Sequence, residues 1–129
     1  MDPISDMLIK IKNAQISGKE TVLIPHSKFK MEIARVLEKN SFVKNIERHG
    51  KKNKKKIEIT LKYNKDNKPA IEDLRRVSKQ SGRIYRKTRG LKRGRNSYGI
   101  AILSTPLGVL SDKEAKKEGV GGEVICEIW

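Results

Sequence analysis

Apolar positions early in the chain recur first at helical spacing and then at strand spacing. Ile4, Met7, Leu8, Ile11 and Ala14 fall three or four apart, which predicts an amphipathic helix. Asp2 suits its N-cap, Pro3 its first position, where a missing amide hydrogen costs nothing, and Gly18 its end. Lys10, Lys12 and Asn13 are thereby left on one outer, polar face. Thr21-Val22-Leu23-Ile24 is a short β-type run stopped by Pro25. Ser27 can then cap a second helix with the inner stripe Phe29, Ile33, Val36 and Leu37. Residues 42–48 and 56–63 read as strands, the second alternating Ile57, Ile59, Leu61 and Tyr63 with Lys56, Glu58, Thr60 and Lys62. Residues 49–55 join them as a hairpin loop, so the first half reads α-β-α-β-β.

The pattern weakens at residues 64–69, a run of turn formers that predicts a linker between two small units, 1–64 and 70–129. Residues 70–77 stay ambiguous: Ile71, Leu74 and Val77 have helical spacing, but the run is short and residues 78–82 look like a turn. Residues 83–87 suggest a strand, 88–98 a basic loop, and 99–103 a buried strand, continuously apolar and entered through Gly99. Ser111 and Glu114 have the spacing of a capping box, in which each side chain satisfies an orphaned amide of a helix's first turn. That helix must end at Gly119, after which Gly121-Gly122 permits a tight path into a last strand, 123–129. The predicted class is α+β, with a mostly β C-terminal unit holding one short helix.

Charge narrows what such a chain can do. Among 129 residues, 30 Lys and Arg stand against 15 Asp and Glu, a formal net charge of +15. A compact state of that charge repels itself unless a polyanion neutralises it, so nucleic acid or an acidic membrane surface is the expected partner. The charge is uneven: residues 74–111 contain no Asp or Glu but hold Arg75, Arg76, Lys79, Arg83, Arg86, Lys87, Arg89, Lys92, Arg93 and Arg95. No stretch approaches the roughly 20 apolar residues of a membrane span. The acidic start, Met1-Asp2-Pro3-Ile4-Ser5-Asp6, predicts neither a secretory signal nor a transit peptide. A single cysteine, Cys126, in an apolar alternation fits a reducing, cytoplasmic setting and has no companions for a zinc site. His26 and His49 flank turns with no fixed carboxylate partner evident, and no phosphate-binding glycine loop occurs. An enzyme is not expected, nor a cofactor, a metal or a small-molecule substrate.

Three stretches carry a more specific signal. They are Asp2-Pro3-Ile4-Ser5-Asp6-Met7-Leu8 through Asn13-Ala14, then Gly99-Ile100-Ala101-Ile102-Leu103-Ser104-Thr105, then Ser111-Asp112-Lys113-Glu114-Ala115 through Gly121-Gly122-Glu123-Val124-Ile125-Cys126. In order and over essentially the whole chain, they resemble the eighth protein of the small ribosomal subunit in its bacterial or organellar form. The resemblance implies two small α+β units, and it favours a strand within 70–77. It also implies direct binding to the central domain of small-subunit ribosomal RNA (rRNA) through a minor groove. The C-terminal unit would read the RNA core, N-terminal residues would touch backbone, and other ribosomal proteins would be neighbours. The central loop of that family usually runs Ser-Thr-Ser-x-Gly, whereas this chain has Ser104-Thr105-Pro106-Leu107-Gly108, so one hydroxyl and one amide donor are absent.

Such chemistry suits these residue types. An A-form helix displays 2′-hydroxyls across a shallow minor groove, which short hydroxyl side chains and bare backbone can approach. Ser104, Thr105, Gly108, Gly121 and Gly122 supply both. Glu123 either accepts from a base amino group, as the family's Gly-Gly-Glu implies, or sits on a solvent face. Tyr85, beside Arg86, either stacks on an unpaired base or is a half-buried strand tyrosine. Lys54 and Lys55 in the 51–56 lysine cluster, and the arginines of 83–95, are candidates for phosphate contacts that position without encoding sequence, or else solvated charges. Lys10, Lys12 and Asn13 are candidates for RNA backbone. Two rivals remain: a nucleic-acid-modifying enzyme, which needs a catalytic carboxylate or metal cluster, and a DNA-compacting protein indifferent to RNA shape.

Overall fold

The computed structural model describes residues 2–51, 54–79, 81–87 and 99–129. Its elements follow in the order α1 (Pro3–Ile16), β1 (Thr21–Pro25), α2 (Lys28–Lys39), β2 (Val43–His49), β3 (Lys56–Leu61), β4 (Leu74–Arg76), β5 (Tyr85–Arg86), β6 (Ile100–Thr105), β7 (Gly108–Ser111), α3 (Asp112–Glu118) and β8 (Gly122–Ile128). The class is α+β. Contacts divide the chain into unit 1, Pro3–Ile71, and unit 2, Glu72–Trp129. The turn-rich stretch 64–69 is a closed turn rather than an extended connection. Asn64 Oδ1 accepts from the Asp66 and Lys68 amides at 2.9 and 3.0 Å, and Tyr63 pairs with Pro69.

In unit 1 the antiparallel order β1-β3-β2 presents one face to both helices. Ile4, Met7, Leu8, Ile11 and Ala14 of α1 and Ile33, Ala34, Val36 and Leu37 of α2 are buried with Ile24, Val43, Ile57, Ile59 and Leu61. Phe29, expected in the α2 stripe, is half-buried. Ser27 caps α2, its side-chain oxygen accepting from the Lys30 amide at 3.1 Å. The period-two alternation of β3 leaves Lys56, Glu58 and Thr60 on the sheet's outer face.

Unit 2 is knit by its last strand. β8 pairs with β6 along one edge and with β4 and β5 along the other, and β7 extends the sheet beyond β6. Both faces of β6 are covered, so Ile100, Ala101, Ile102 and Leu103 are all buried, as their continuous apolar run predicts. Ala101, Leu103 and Val124 form one cluster with Val77. Ser111 caps α3 as expected, its Oγ accepting from the Glu114 amide at 3.2 Å, and Gly119 ends the helix at φ 72. Two strand readings hold with shorter bounds. The ambiguous 70–77 stretch holds only the short β4, and residues 83–87 pair only at Tyr85 and Arg86. The basic loop expected at 88–98, with Arg89, Lys92, Arg93 and Arg95, lies outside the described residues.

Candidate nucleic-acid interface

The register of unit 2 brings together residues far apart in sequence. Tyr85 of β5 pairs with Glu123 of β8, and Glu123 pairs in turn with Ser104 of β6, so the three stand in one row across three strands. Directly paired residues point to the same side of a sheet. Beside this row, Arg86 pairs with Gly122. Tyr85 is 65% exposed, not half-buried, and Arg86 is exposed, its Nη1 donating to the Tyr85 carbonyl at 3.2 Å. Ser104 is partly exposed at the end of β6.

The two glycines have a job inside the protein. A Cβ on Gly122 would collide with the Ser104 carbonyl, and one on Gly121 with the Arg86 carbonyl. Bare backbone is thus what lets β5, β8 and β6 close up and set the row. Gly108 meets nothing within 4 Å, and its φ of +115 is the constraint there.

The expected loop 104–108 is a tight hairpin. Ser104 and Thr105 end β6, Gly108 begins β7 opposite Thr105, and only Pro106 and Leu107 lie between. Proline at the second turn position has its φ already set, so it suits this turn. Thr105 Oγ1 donates to the Gly108 carbonyl at 2.7 Å and accepts from the Leu107 amide at 3.1 Å. Its hydrogen is therefore committed to the turn, leaving one lone pair for a ligand.

Glu123 shares the sheet side of the exposed Tyr85 but is partly covered by Arg83. Its side chain is 13% exposed, and Arg83 Nη1 donates to both carboxylate oxygens, at 3.0 and 3.2 Å. Arg83, grouped by sequence with the phosphate-binding cations, thus offsets the one acidic charge in the row. Ser78, expected only as part of a turn, is also central here. Buried to 1% exposure, its Oγ accepts from the Ile84 amide at 2.9 Å and donates to the Ile84 carbonyl at 3.2 Å. That carbonyl also accepts from the Val124 amide at 2.8 Å, which fixes the strand carrying Tyr85 against β8. A small hydroxyl five residues before Arg83 was the available clue, but its partner depends on a fold-back invisible to periodicity.

In unit 1, Lys10 and Asn13 are exposed and border a groove with Ser17, Lys19, Thr21 and Leu23. Lys12 does not share their face. Two positions along a helix turn a side chain by about 200°, so Lys12 lies on the opposite flank from Lys10, half-buried. Lys54 is exposed in the β2–β3 loop, while Lys55 is half-buried and its carbonyl accepts from the His26 amide at 3.0 Å. Lys52 and Asn53 lie outside the described residues.

His49 corrects the expectation that it lacks a carboxylate partner. Its Nε2 lies 3.2 Å from Glu47 Oε2 and 3.5 Å from Glu58 Oε1. Cys126, as its apolar alternation suggests, is buried, and desolvation pushes its thiol up to about 12, partly opposed by Arg76 and reinforced by Glu127. No helix among the described residues is long and apolar enough to cross a membrane.

Comparison with known proteins covers nearly the whole chain. Residues 2–129 match the family model described as ribosomal protein S8. The chain is 46% identical to the small ribosomal subunit protein uS8 of Rubrobacter xylanophilus over 128 residues, 99% of this chain and 97% of that one. Against the proteins of the same name from Prochlorococcus marinus and an Anaeromyxobacter species, identity is 46% and 48%, with the same coverage.

Proposed function

Because this chain belongs to the ribosomal protein S8 family, a structural and non-enzymatic constituent of the small ribosomal subunit, we propose that it binds the central domain of small-subunit rRNA directly and helps that region fold. The observation that carries this reading is the row Tyr85, Glu123 and Ser104 with Arg86 at its side: an exposed ring, a hydroxyl, a half-buried acceptor and a cation on one strand junction. Each group has a use on irregular RNA. The ring stacks on an unpaired base, worth about 1–3 kcal/mol per base. The Ser104 hydroxyl exchanges hydrogen bonds with 2′-hydroxyls, and Arg86 meets phosphate. Glu123 accepts from a base amino group, with Arg83 lowering the repulsion a carboxylate would otherwise meet. Thr105, Gly108, Gly121 and Gly122 shape the surface more than they touch the ligand. Lys10, Asn13, Lys54 and Lys55 add backbone contacts that supply affinity without sequence, and Lys12 adds one from the other flank of α1. The bound protein then offers surface to neighbouring ribosomal proteins.

The test compares binding of the full chain to a central-domain rRNA fragment and to a regular duplex of equal length, over a series of salt concentrations. Strong preference for the fragment is expected, with Tyr85→Ala losing roughly tenfold on the fragment alone. Lys54→Ala should weaken both ligands alike and reduce the salt slope by about 0.9, the value per contact on B-DNA. Equal affinity for fragment and duplex would overturn the reading in favour of a shape-indifferent nucleic-acid binder.

A further inference from the structure

The outer face of the unit 1 sheet carries a cluster that the proposed RNA surface does not include. Glu47 of β2 is paired directly with Glu58 of β3, and His49, two positions beyond Glu47, lies on the same face. Opposed carboxylates repel across a strand pair, so this register is unfavourable unless positive charge lies between them. His49 is the group that bridges them, with Nε2 at 3.2 and 3.5 Å from the two carboxylates. The other residues on this face are Asn45 on β2, Lys56 and Thr60 on β3, and Thr21, Leu23 and Pro25 on β1. Lys56 stands opposite His49 rather than between the acids.

We propose that Glu47, His49 and Glu58 form a Zn2+ site. One donor atom from each residue lies within 4.8 Å of the others. A tetrahedral zinc with bonds of about 2.1 Å separates its ligands by about 3.4 Å, close to both His49 distances, so side-chain rotations alone can seat the ion. One imidazole nitrogen with two carboxylates favours zinc over magnesium or calcium, which prefer all-oxygen shells. The fourth position stays open to water or an anionic oxygen, because the face is exposed. Zinc would place a divalent charge between the two carboxylates, which removes the cross-strand repulsion. Cys126 does not compete, being fully buried in unit 2.

The site is tested on the full untagged chain with Zn2+ as titrant, followed by calorimetry and by the His49 ring signals in NMR. One equivalent should bind, shifting the His49 signals and leaving those of His26. His49→Gln and Glu58→Gln should each weaken binding at least tenfold, and His26→Gln should not change it. Co2+ should give the visible absorption of a tetrahedral complex in the parent and lose it in His49→Gln. Unchanged Zn2+ affinity in both His49→Gln and Glu58→Gln, or no uptake at millimolar Zn2+, would overturn the proposal. Neither result bears on the RNA surface of unit 2, since the two sets of residues do not overlap.

Discussion

Unit 1 fills its interior with two helices whose apolar stripes repeat every three or four residues, and each is marked by its own local signals. Unit 2 fills its interior by pairing β8 with strands that enter from three separate parts of the chain. The first kind of order is written within single segments, whereas the second depends on register between segments. The contrast extends to glycine. Gly18, at φ 70, follows the end of a helix in unit 1, while Gly121 and Gly122 allow main chains of unit 2 to approach each other. Unit 2 is therefore the part of the molecule in which stability and the row proposed to meet RNA share the same backbone.

The sharpest break in that arrangement is Leu103→Ala. Leu103 is fully buried in the unit 2 cluster, so its truncation should cost about 2–5 kcal/mol in urea unfolding. Leu107→Ala, at the exposed hairpin tip, should stay within about 0.5 kcal/mol. Comparable costs for both would mean that the β6–β8 cluster is not the core. Next comes Gly122→Ala, which must displace the Ser104 backbone and should cost about 1–3 kcal/mol while weakening RNA binding. Gly108→Ala has space and strains only φ, so it should cost about 1 kcal/mol with less effect on RNA. If the order of the two is reversed, conformation rather than close approach is what glycine supplies.

The helix caps allow an even-handed comparison of the units. Ser27→Ala and Ser111→Ala each remove one side-chain acceptor from a first-turn amide, and each should cost about 1 kcal/mol by chemical denaturation. A variant that lost nothing would show that its helix is held by packing rather than by its cap.

The smallest effect is a pH dependence local to unit 2. Burial raises the Asp112 carboxyl above its ordinary value of 3.8, opposed by amides of Ala101, Lys113 and Asp112 and by the Lys113 charge. The folded state thus holds this proton more tightly than the unfolded chain does. The associated stability is complete below the ordinary value and is lost as pH rises through the raised one. Asp112→Asn should flatten the stability profile in that acidic window, measured as the urea midpoint against pH. An unchanged profile would assign the dependence to another carboxylate.

What was legible in the sequence follows the same division. The helices could be read because stripe and termination signals lie within a few residues of each other: Ser27 before α2, Ser111 and Gly119 around α3. The Ile57, Ile59 and Leu61 alternation marked β3 for the same reason. β7 was missed because Pro106 reads as a loop former, and only pairing with β6 shows that the strand resumes at Gly108. The Arg83–Glu123 pair and the Glu58–His49 contact were missed because each joins different strands, and the Ser78 clasp because it needs a fold-back, whereas Glu47, two residues before His49 on β2, was within reach of period-two spacing. Lys12 was misplaced by counting polarity without the helical angle. Ser104 and Glu123 were named from family resemblance and Tyr85 from its place among cations, but their standing in one row is a consequence of β8 register that no single stretch contains.

The most direct measurement is an NMR titration of the isotopically labelled full chain with the central-domain rRNA fragment. The account predicts the largest amide shifts at Tyr85, Arg86, Ser104, Gly122 and Glu123, with smaller ones at Lys10, Asn13 and Lys54. Large shifts confined to the outer face of the unit 1 sheet, around Glu47, His49 and Glu58, with the unit 2 row unmoved, would contradict it.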